Sequence, residues 1–306
     1  MSTPTGPASG LPVRMPRPRQ SGRHRRPEPV VAPEGAAALV LAVPGTPSPA
    51  ARSVAEEVIS IARSELPGLN AVIGYLEGDD EFPALASVLA QCAAERVAAY
   101  EQATAAGREV PAPEGPSAVV VPLLAGPDSA LIRRIRQAVM ESGTQVELTE
   151  VLGPHPLLAE ALHVRLSEAG LARADRARLF TVATAADGIV LATVGGDEAV
   201  KAAGITGMLL AARLAVPVMA AALDVEGSVS SIADQLKNAG SVQLALAPYL
   251  VGPEVDAGLL DAAAKEAGCA TAEPLGAYPA IGKLVLSLYA SALGISPAAP
   301  QGVPAH

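Results

Sequence analysis

Four acidic residues follow short apolar segments at positions where a parallel sheet would place its functional edge. They are Glu77, Asp128, Asp224 and Glu254. Carboxylates in such turns accept protons and hold divalent metal ions weakly. The sequence therefore predicts Glu77 as a candidate base with Asp128 as a second catalytic carboxylate, and Glu77, Asp224 and Glu254 as metal ligands. The alternative is that these acids are solvated and hold the starts of helices.

A histidine also stands where chemistry is conceivable. His155 occurs in the segment Gly-Pro-His-Pro, at the predicted start of a helix. Imidazole is a common metal ligand and proton carrier near neutral pH. The corresponding position of an internal repeat, described next, holds Tyr278, which favours a structural, hydrogen-bonding role for His155. The four histidines of the chain form no pattern typical of a metal site.

The acidic turns belong to a repeat that runs through the chain. Segments LVLA (39–42) and IVLA (189–192) are 150 residues apart, and YLE (75–77) and ALD (222–224) are 147 apart. PLLAGPD and PYLVGPE are 126 apart, and LGPHP and LGAYP are 123 apart. Four matches in the same order indicate internal duplication. The fall in spacing predicts about 21 extra residues in the first half, between 93 and 117.

Alternating apolar runs and helical patterns predict the elements that position these turns. Run 39–43 has no polar alternation, which is typical of a strand buried on both faces. The chain is thus predicted to be α/β, with two similar Rossmann-like lobes, each a parallel sheet flanked by helices. The predicted segments are a disordered Pro/Arg-rich tail, an N-terminal lobe, a linker, a C-terminal lobe and a flexible tail, at 1–35, 36–170, 171–186, 187–294 and 295–306.

Composition narrows the function further. The net charge is −9, yet residues 1–35 carry six Arg and two Glu, so the body is acidic and nucleic acid is not an expected partner. The basic tail either is solvated or contacts an acidic partner. The two cysteines form no disulfide framework, which favours the cytoplasm, and no apolar run is long enough to cross a membrane.

The order and the amino-acid sequences of these segments resemble those of the sirohydrochlorin chelatases of the CbiX type, which belong to the class II tetrapyrrole chelatases. The resemblance covers roughly residues 38–294 and is best in LVLAVPGTPSP, IGYLEGDDEFPALASVL, AVVVPLLAG, LGPHPLLAEAL and MLLAARLAVPV. It implies a two-lobed α/β fold with a cleft. It also implies insertion of Fe²⁺ or Co²⁺, as metal substrate, into sirohydrochlorin on the path to sirohaem or cobalamin, with no bound cofactor.

The resemblance has gaps at the catalytic positions. The family turn Gly-His-Gly-Ser is Val-Pro-Gly-Thr here, so proline replaces its histidine at position 44. A second family histidine corresponds to Ala130, whereas the family glutamate is retained as Glu77. Proline neither binds a metal nor accepts the pyrrole protons. The resemblance also implies substrate contacts from four residues, Gly45, Thr46, Arg133 and Arg134, although the arginines equally fit a charged outer helix face.

Two functional hypotheses follow. The first is a chelatase, a lyase that uses a carboxylate-based site. The second is a degenerate homologue that binds tetrapyrrole or metal, or supports an active partner, without catalysis. In both, a tetrapyrrole is the expected small-molecule partner, and a protein partner or a homo-oligomer remains open. A structural subunit with an inactive cleft is the third and weakest alternative.

Overall fold

The computed structural model of the protein describes residues 31–172 and 185–295. Most of the two predicted terminal tails and most of the predicted linker lie outside these residues, so the domain boundaries stay predictions. The end of the predicted N-terminal tail does lie against the first lobe, where the Ala32 N–H donates to the Pro67 carbonyl at 2.9 Å. Within the described residues, no helix combines the length and apolarity needed to span a membrane.

The first lobe alternates strands and helices along the chain. Its parallel sheet has the strand order β2-β1-β3-β4. The central strand, the predicted apolar run, is buried along its whole length because helices cover both faces of the sheet. The elements are β1 (Ala38–Val43), α1 (Pro49–Glu65), β2 (Ala71–Tyr75), α2 (Leu85–Ala105), β3 (Ala118–Pro122), α3 (Ser129–Glu141), β4 (Val146–Leu148) and α4 (Pro156–Glu168).

The second lobe repeats this arrangement. Its four parallel strands have the equivalent order β6-β5-β7-β8. The elements are β5 (Gly188–Thr193), α5 (Gly196–Leu214), β6 (Val218–Ala222), α6 (Ser228–Asn238), β7 (Leu244–Pro248), α7 (Ala257–Ala267), β8 (Ala270–Thr271) and α8 (Pro279–Ala292). The predicted α/β fold of two similar lobes is confirmed.

Strand register agrees with the spacing of the sequence repeat. Ala38 pairs with Ala118 in the first sheet, and Gly188 pairs with Leu244 in the second, so the pairs are related by offsets of 150 and 126 residues. The extra residues of the first half lie in α2, which has 21 residues where α6 has 11, and in the connection to β3. Matching topology and register are as expected for internal duplication.

The last helix of each half packs on the opposite lobe. Helix α4 contacts α5 and β7 of the second lobe, and α8 contacts α1 and β3 of the first. A hydrogen bond fixes each of these two helices to the opposite lobe. The Arg165 Nε on α4 donates to the Leu275 carbonyl at 3.1 Å, and the Tyr289 hydroxyl on α8 donates to the Ala37 carbonyl at 2.8 Å. The sequence periodicity did not predict this exchange, because it locates an apolar helix face without naming its partner.

One apolar core therefore runs through both lobes. It joins β1, α1 and α4 of the first half to β5, β7 and α8 of the second. Small and aliphatic residues dominate it, as the low aromatic content predicts. A further buried polar contact in this core joins the hydroxyls of Thr206 and Tyr249, which lie 3.0 Å apart. Tyr249 also approaches Gly126 and Gly153 of the first lobe, so this side chain bridges the lobes.

The crossing of α1 and α8 leaves no room for a side chain at Gly282. A Cβ there would collide with the Ile61 side chain and lie 3.2 Å from the Val58 carbonyl oxygen. We therefore expect Gly282→Ala to lower the free energy of unfolding by about 1–3 kcal/mol in chemical denaturation. The control is Gly204→Ala, because Gly204 lies in α5 with open space around it. Equal effects of both substitutions would contradict a close α1–α8 crossing.

Candidate functional site

Turns at the carboxyl ends of the central strands bring the lobes face to face. A Cβ built on Gly45, in the turn after β1, would lie 3.5 Å from the Glu254 carbonyl oxygen in the turn after β7. Its equivalent on Gly195, after β5, would lie 3.1 Å from the Asp128 Cα in the turn after β3. Both glycines have positive φ, 78° and 107°, which non-glycine residues rarely adopt. In such sheets ligands usually bind beyond the carboxyl ends of the strands, so we take the region between these facing turns as the candidate ligand site and call it the interlobe cleft.

Glu77 is joined to two other predicted site residues. Arg134, on α3, donates through Nη1 to the Glu77 Oε1 at 2.9 Å. Thr46, in the turn after β1, donates to the Glu77 Oε2 at 3.5 Å. The Glu77 carboxylate therefore already has a cationic partner, on Oε1, and a long contact on Oε2. Arg133 is exposed on the same helix.

Asp224 has the helix-start role that the sequence left as an alternative. Its Oδ2 accepts the N–H groups of Gly195 and Gly196 at 3.1 and 3.2 Å. These residues open helix α5 in a turn that has no side-chain cap of its own. Asp224 thus stabilises the positive end of this helix. Glu77 reaches the equivalent turn of the first lobe, where the hydroxyl of Thr46 takes the place of Gly196.

Asp128 is also tied to a helix. Its Oδ1 accepts the N–H groups of Ala130 and Leu131, both at 2.9 Å, and so caps α3. This geometry fixes the carboxylate at the border of the cleft and leaves Oδ2 outside these two bonds. Its predicted catalytic role stays a prediction, while the alternative capping role accounts for the contacts observed.

Glu254 differs from the other three carboxylates. Burial raises its pKa to about 8, against the lowering effect of N–H donation from Val251 and Gly252, and the nearby charge of Asp128 adds to the rise. The two N–H groups meet Oε1 at 2.7 and 3.4 Å. Glu254 is therefore mostly protonated at neutral pH. The sequence predicted a metal ligand here and gave no sign of this burial, because the repeat reveals only an acid after Gly-Pro.

Within the described residues, no group of three or more His, Cys, Asp and Glu is arranged to hold a metal ion. The predicted ligands Glu77, Asp224 and Glu254 are thus not brought together as one centre. Each instead has its own hydrogen-bond donors: a guanidinium and a hydroxyl, the start of α5, and the turn after β7.

His155 is the N-cap of α4. Its Nδ1 accepts the Leu157 N–H at 3.1 Å, and burial lowers the pKa of the imidazole. A neutral imidazole that accepts through Nδ1 carries its proton on Nε2. No ring nitrogen then keeps a lone pair for a metal, although the Nε2–H remains a donor.

A cavity of about 980 Å³ lies far from these turns. It is bordered by the extended part of α2, by the segment that joins α2 to β3, and by Ala38 at the start of β1. It therefore opens at the amino end of the first sheet, whereas the carboxylates lie at the carboxyl ends of the strands. The cavity is separate from the candidate site.

Solved structures of known chelatases share this fold. SirB from Bacillus subtilis with Fe³⁺ matches with a TM-score of 0.58 at 14% identity, covering 84% of this chain and 94% of SirB. SirB from Bacillus subtilis subspecies spizizenii with cobalt gives 0.55 at 13% identity, covering 83% and 94%. CbiX, the terminal enzyme for sirohaem biosynthesis in denitrifying bacteria, gives 0.51 at 14% identity, covering 84% and 99%.

These likenesses establish a chelatase-like fold. The low identities carry no residue-level role across to this chain. No protein-family model and no curated protein sequence matches it. The family resemblance seen in the sequence is therefore supported at the level of the fold, and the function has to be argued from the site.

The protonated state of Glu254 predicts a pH-dependent stability. Its pKa of about 8 lies above the ordinary value of 4.5, so the folded protein binds a proton that the unfolded chain has lost between these values. The stability contributed by this group is complete below pH 4.5 and disappears as the pH rises through 8. Glu254→Gln keeps an acceptor oxygen but cannot ionise.

We expect the stability of Glu254→Gln, relative to the wild type, to grow with pH at up to about 1.4 kcal/mol per unit between the two pKa values. Urea denaturation at several pH values measures it. Glu57→Gln removes an exposed carboxylate from α1 and controls for net charge. A constant stability difference between Glu254→Gln and the wild type would contradict burial of this carboxyl group.

The cap geometry of His155 makes a second prediction. His155→Ala removes the acceptor of the Leu157 N–H and should lower the free energy of unfolding by about 1 kcal/mol. His155→Asn supplies another good N-cap and should restore most of that loss. Urea denaturation of both variants measures the effect. Similar stability in the alanine and asparagine variants would show that the imidazole does not act as the cap.

Proposed function

We propose that the chain binds a tetrapyrrole with many carboxylates, of the sirohydrochlorin class, in the interlobe cleft and does not insert a metal. The observation that carries this proposal is the Glu77–Arg134 ion pair beside a turn that has Pro44 in place of the family histidine. The chelatase-like fold supports the ligand class. The contacts of the carboxylates support the loss of catalysis.

Metal insertion asks two things of a protein. It must deliver a divalent ion, and it must accept two pyrrole N–H protons. Within the described residues no group of three or more ligands is arranged for the first task. For the second, Glu77 is ion-paired, and His155 uses its Nδ1 lone pair at the start of α4. Binding makes fewer demands: it needs a cleft and cations, and Arg134 with the exposed Arg133 supplies positive charge near its border.

A chelatase remains the second candidate because of one observation, the raised pKa of Glu254. Its ionised form would accept one pyrrole proton as a metal–nitrogen bond forms, and the other proton would pass to water. Since the carboxyl is protonated below its pKa of about 8, this function requires an insertion rate that rises with pH through that value. Fe²⁺ or Co²⁺ would be the metal substrate.

The deciding experiment mixes sirohydrochlorin with the purified protein under anaerobic conditions and then adds Co²⁺. Absorbance is followed before and after the addition, against a protein-free control. We expect a shifted tetrapyrrole spectrum before metal is added and an insertion rate no faster than the spontaneous one. The Glu254→Gln variant is run in parallel from pH 6 to 9.

The alternative outcomes are distinct. Insertion that accelerates with pH in the wild type, and not in Glu254→Gln, would establish the chelatase. An unchanged spectrum without acceleration would remove tetrapyrrole binding altogether. The chelatase-like fold would then reflect ancestry alone.

A further inference from the structure

We propose that Glu77 is an internal substitute for a ligand carboxylate: it occupies Arg134 in the free protein and is displaced when a carboxylate of the ligand binds there. The inference rests on the proposed tetrapyrrole function and adds a residue-level account of recognition. It also reverses the role that the sequence predicted for Glu77. A catalytic base would assist the ligand's reaction, whereas an internal anion competes with the ligand.

Three elements of the first lobe build this position. Glu77 follows β2, Arg134 lies on α3, and Thr46 lies in the turn after β1. The two ionic side chains meet at 2.9 Å, and the Thr46 hydroxyl lies 3.5 Å from the other carboxylate oxygen. Thr46 is next to Gly45, where an added Cβ would lie 3.5 Å from the Glu254 carbonyl oxygen across the lobe interface. The ion pair is therefore at the border of the cleft, because Thr46, which contacts Glu77, is adjacent to the residue that faces the opposite lobe.

The second lobe provides an internal comparison. The repeat relates Glu77 to Asp224, and Asp224 is satisfied by two backbone N–H groups of its own turn. Counted from the N-cap of each helix, Asp128 for α3 and Asp256 for α7, Arg134 corresponds to the exposed Ala262. The fold of a lobe therefore does not require a cation at this position of the helix. The guanidinium is a feature of the first lobe alone, and a ligand contact explains it.

The energetics allow displacement. The side chains of Arg134 and Glu77 are 46% and 39% exposed, so water screens their attraction. Exposed ion pairs of this kind typically shift an equilibrium by no more than about five-fold. The second contact of the carboxylate, to Thr46, is long for a hydrogen bond between oxygens. The protein therefore loses little interaction energy when a ligand carboxylate displaces Glu77. The Arg134 guanidinium can bind that carboxylate through two N–H groups.

The test measures the affinity of sirohydrochlorin without metal for four forms of the full chain. These are the wild type, Glu77→Gln, Arg134→Gln and the double variant. Glu77→Gln should bind about three- to five-fold more tightly, the factor that loss of an exposed pair allows. Arg134→Gln should bind more weakly. The double variant should match Arg134→Gln, because Glu77 acts only through the guanidinium.

Two matched variants control for net charge. Arg136→Gln removes an exposed charge from the same helix, but two residues along an α-helix turn the side chain by about 200°, away from Glu77. Glu57→Gln removes an exposed carboxylate from α1. Neither control should change the affinity as the Arg134 and Glu77 variants do. Circular dichroism and thermal unfolding confirm that each variant is folded.

Three results would overturn the inference: weaker binding by Glu77→Gln, an equal gain in the Arg134→Gln background, or an equal gain from Glu57→Gln. Citrate, followed by its effect on the melting temperature, separates the two proposals. If citrate stabilises Glu77→Gln more than the wild type while sirohydrochlorin binds no form, the internal-anion role holds and the tetrapyrrole function fails. If neither compound binds any form, both proposals fail.

Discussion

The structure depends on the exchange of helices α4 and α8 between the lobes. A parallel sheet must be covered on both faces, and here each half sends its last helix to the sheet of the other half. The exchange joins the two repeats through one shared apolar core, since α8 packs on α1 and β3 while α4 packs on α5 and β7. It also holds the carboxyl ends of both sheets toward each other. The position of the candidate cleft therefore follows from how the core is completed.

Much of the fold was accessible from the sequence because buried parallel strands leave a strong local pattern. The apolar run 39–43 located the central strand β1, and the four offsets of the repeat agree with the register of both sheets. The helix exchange was not accessible. An apolar face on α8 is satisfied equally well by its own sheet or by that of the other lobe, and only the tertiary structure decides between them.

The sequence predicted where the carboxylates of the candidate site lie, but not which groups they contact or what their pKa values are. The sequence located the carboxylates in turns at strand ends, and the structure has them there. It could not foresee that Glu77 meets Arg134, separated by 57 residues, or that Glu254 is buried enough for its pKa to reach about 8. Both properties depend on distances between segments remote in the chain. His155 was easier, because a helix cap is a local structure and Pro156 marks the start of the helix.

Duplication offers a way to separate scaffold from function in this protein. A contact that recurs in both lobes serves the common fold, and a contact in one lobe alone requires another reason. The carboxylates after β2 and β6 both reach back to the turn after the central strand, so this reach belongs to the scaffold. The cation that meets Glu77 has Ala262 as its counterpart. The cap that Asp128 gives to α3 recurs as Asp256 on α7, so Glu254 with its raised pKa is an additional acid of the second lobe. The two lobes thus share one backbone arrangement but carry different ionisable side chains on the two sides of the cleft. The proposed binding of an asymmetric, charged ligand would require such a difference.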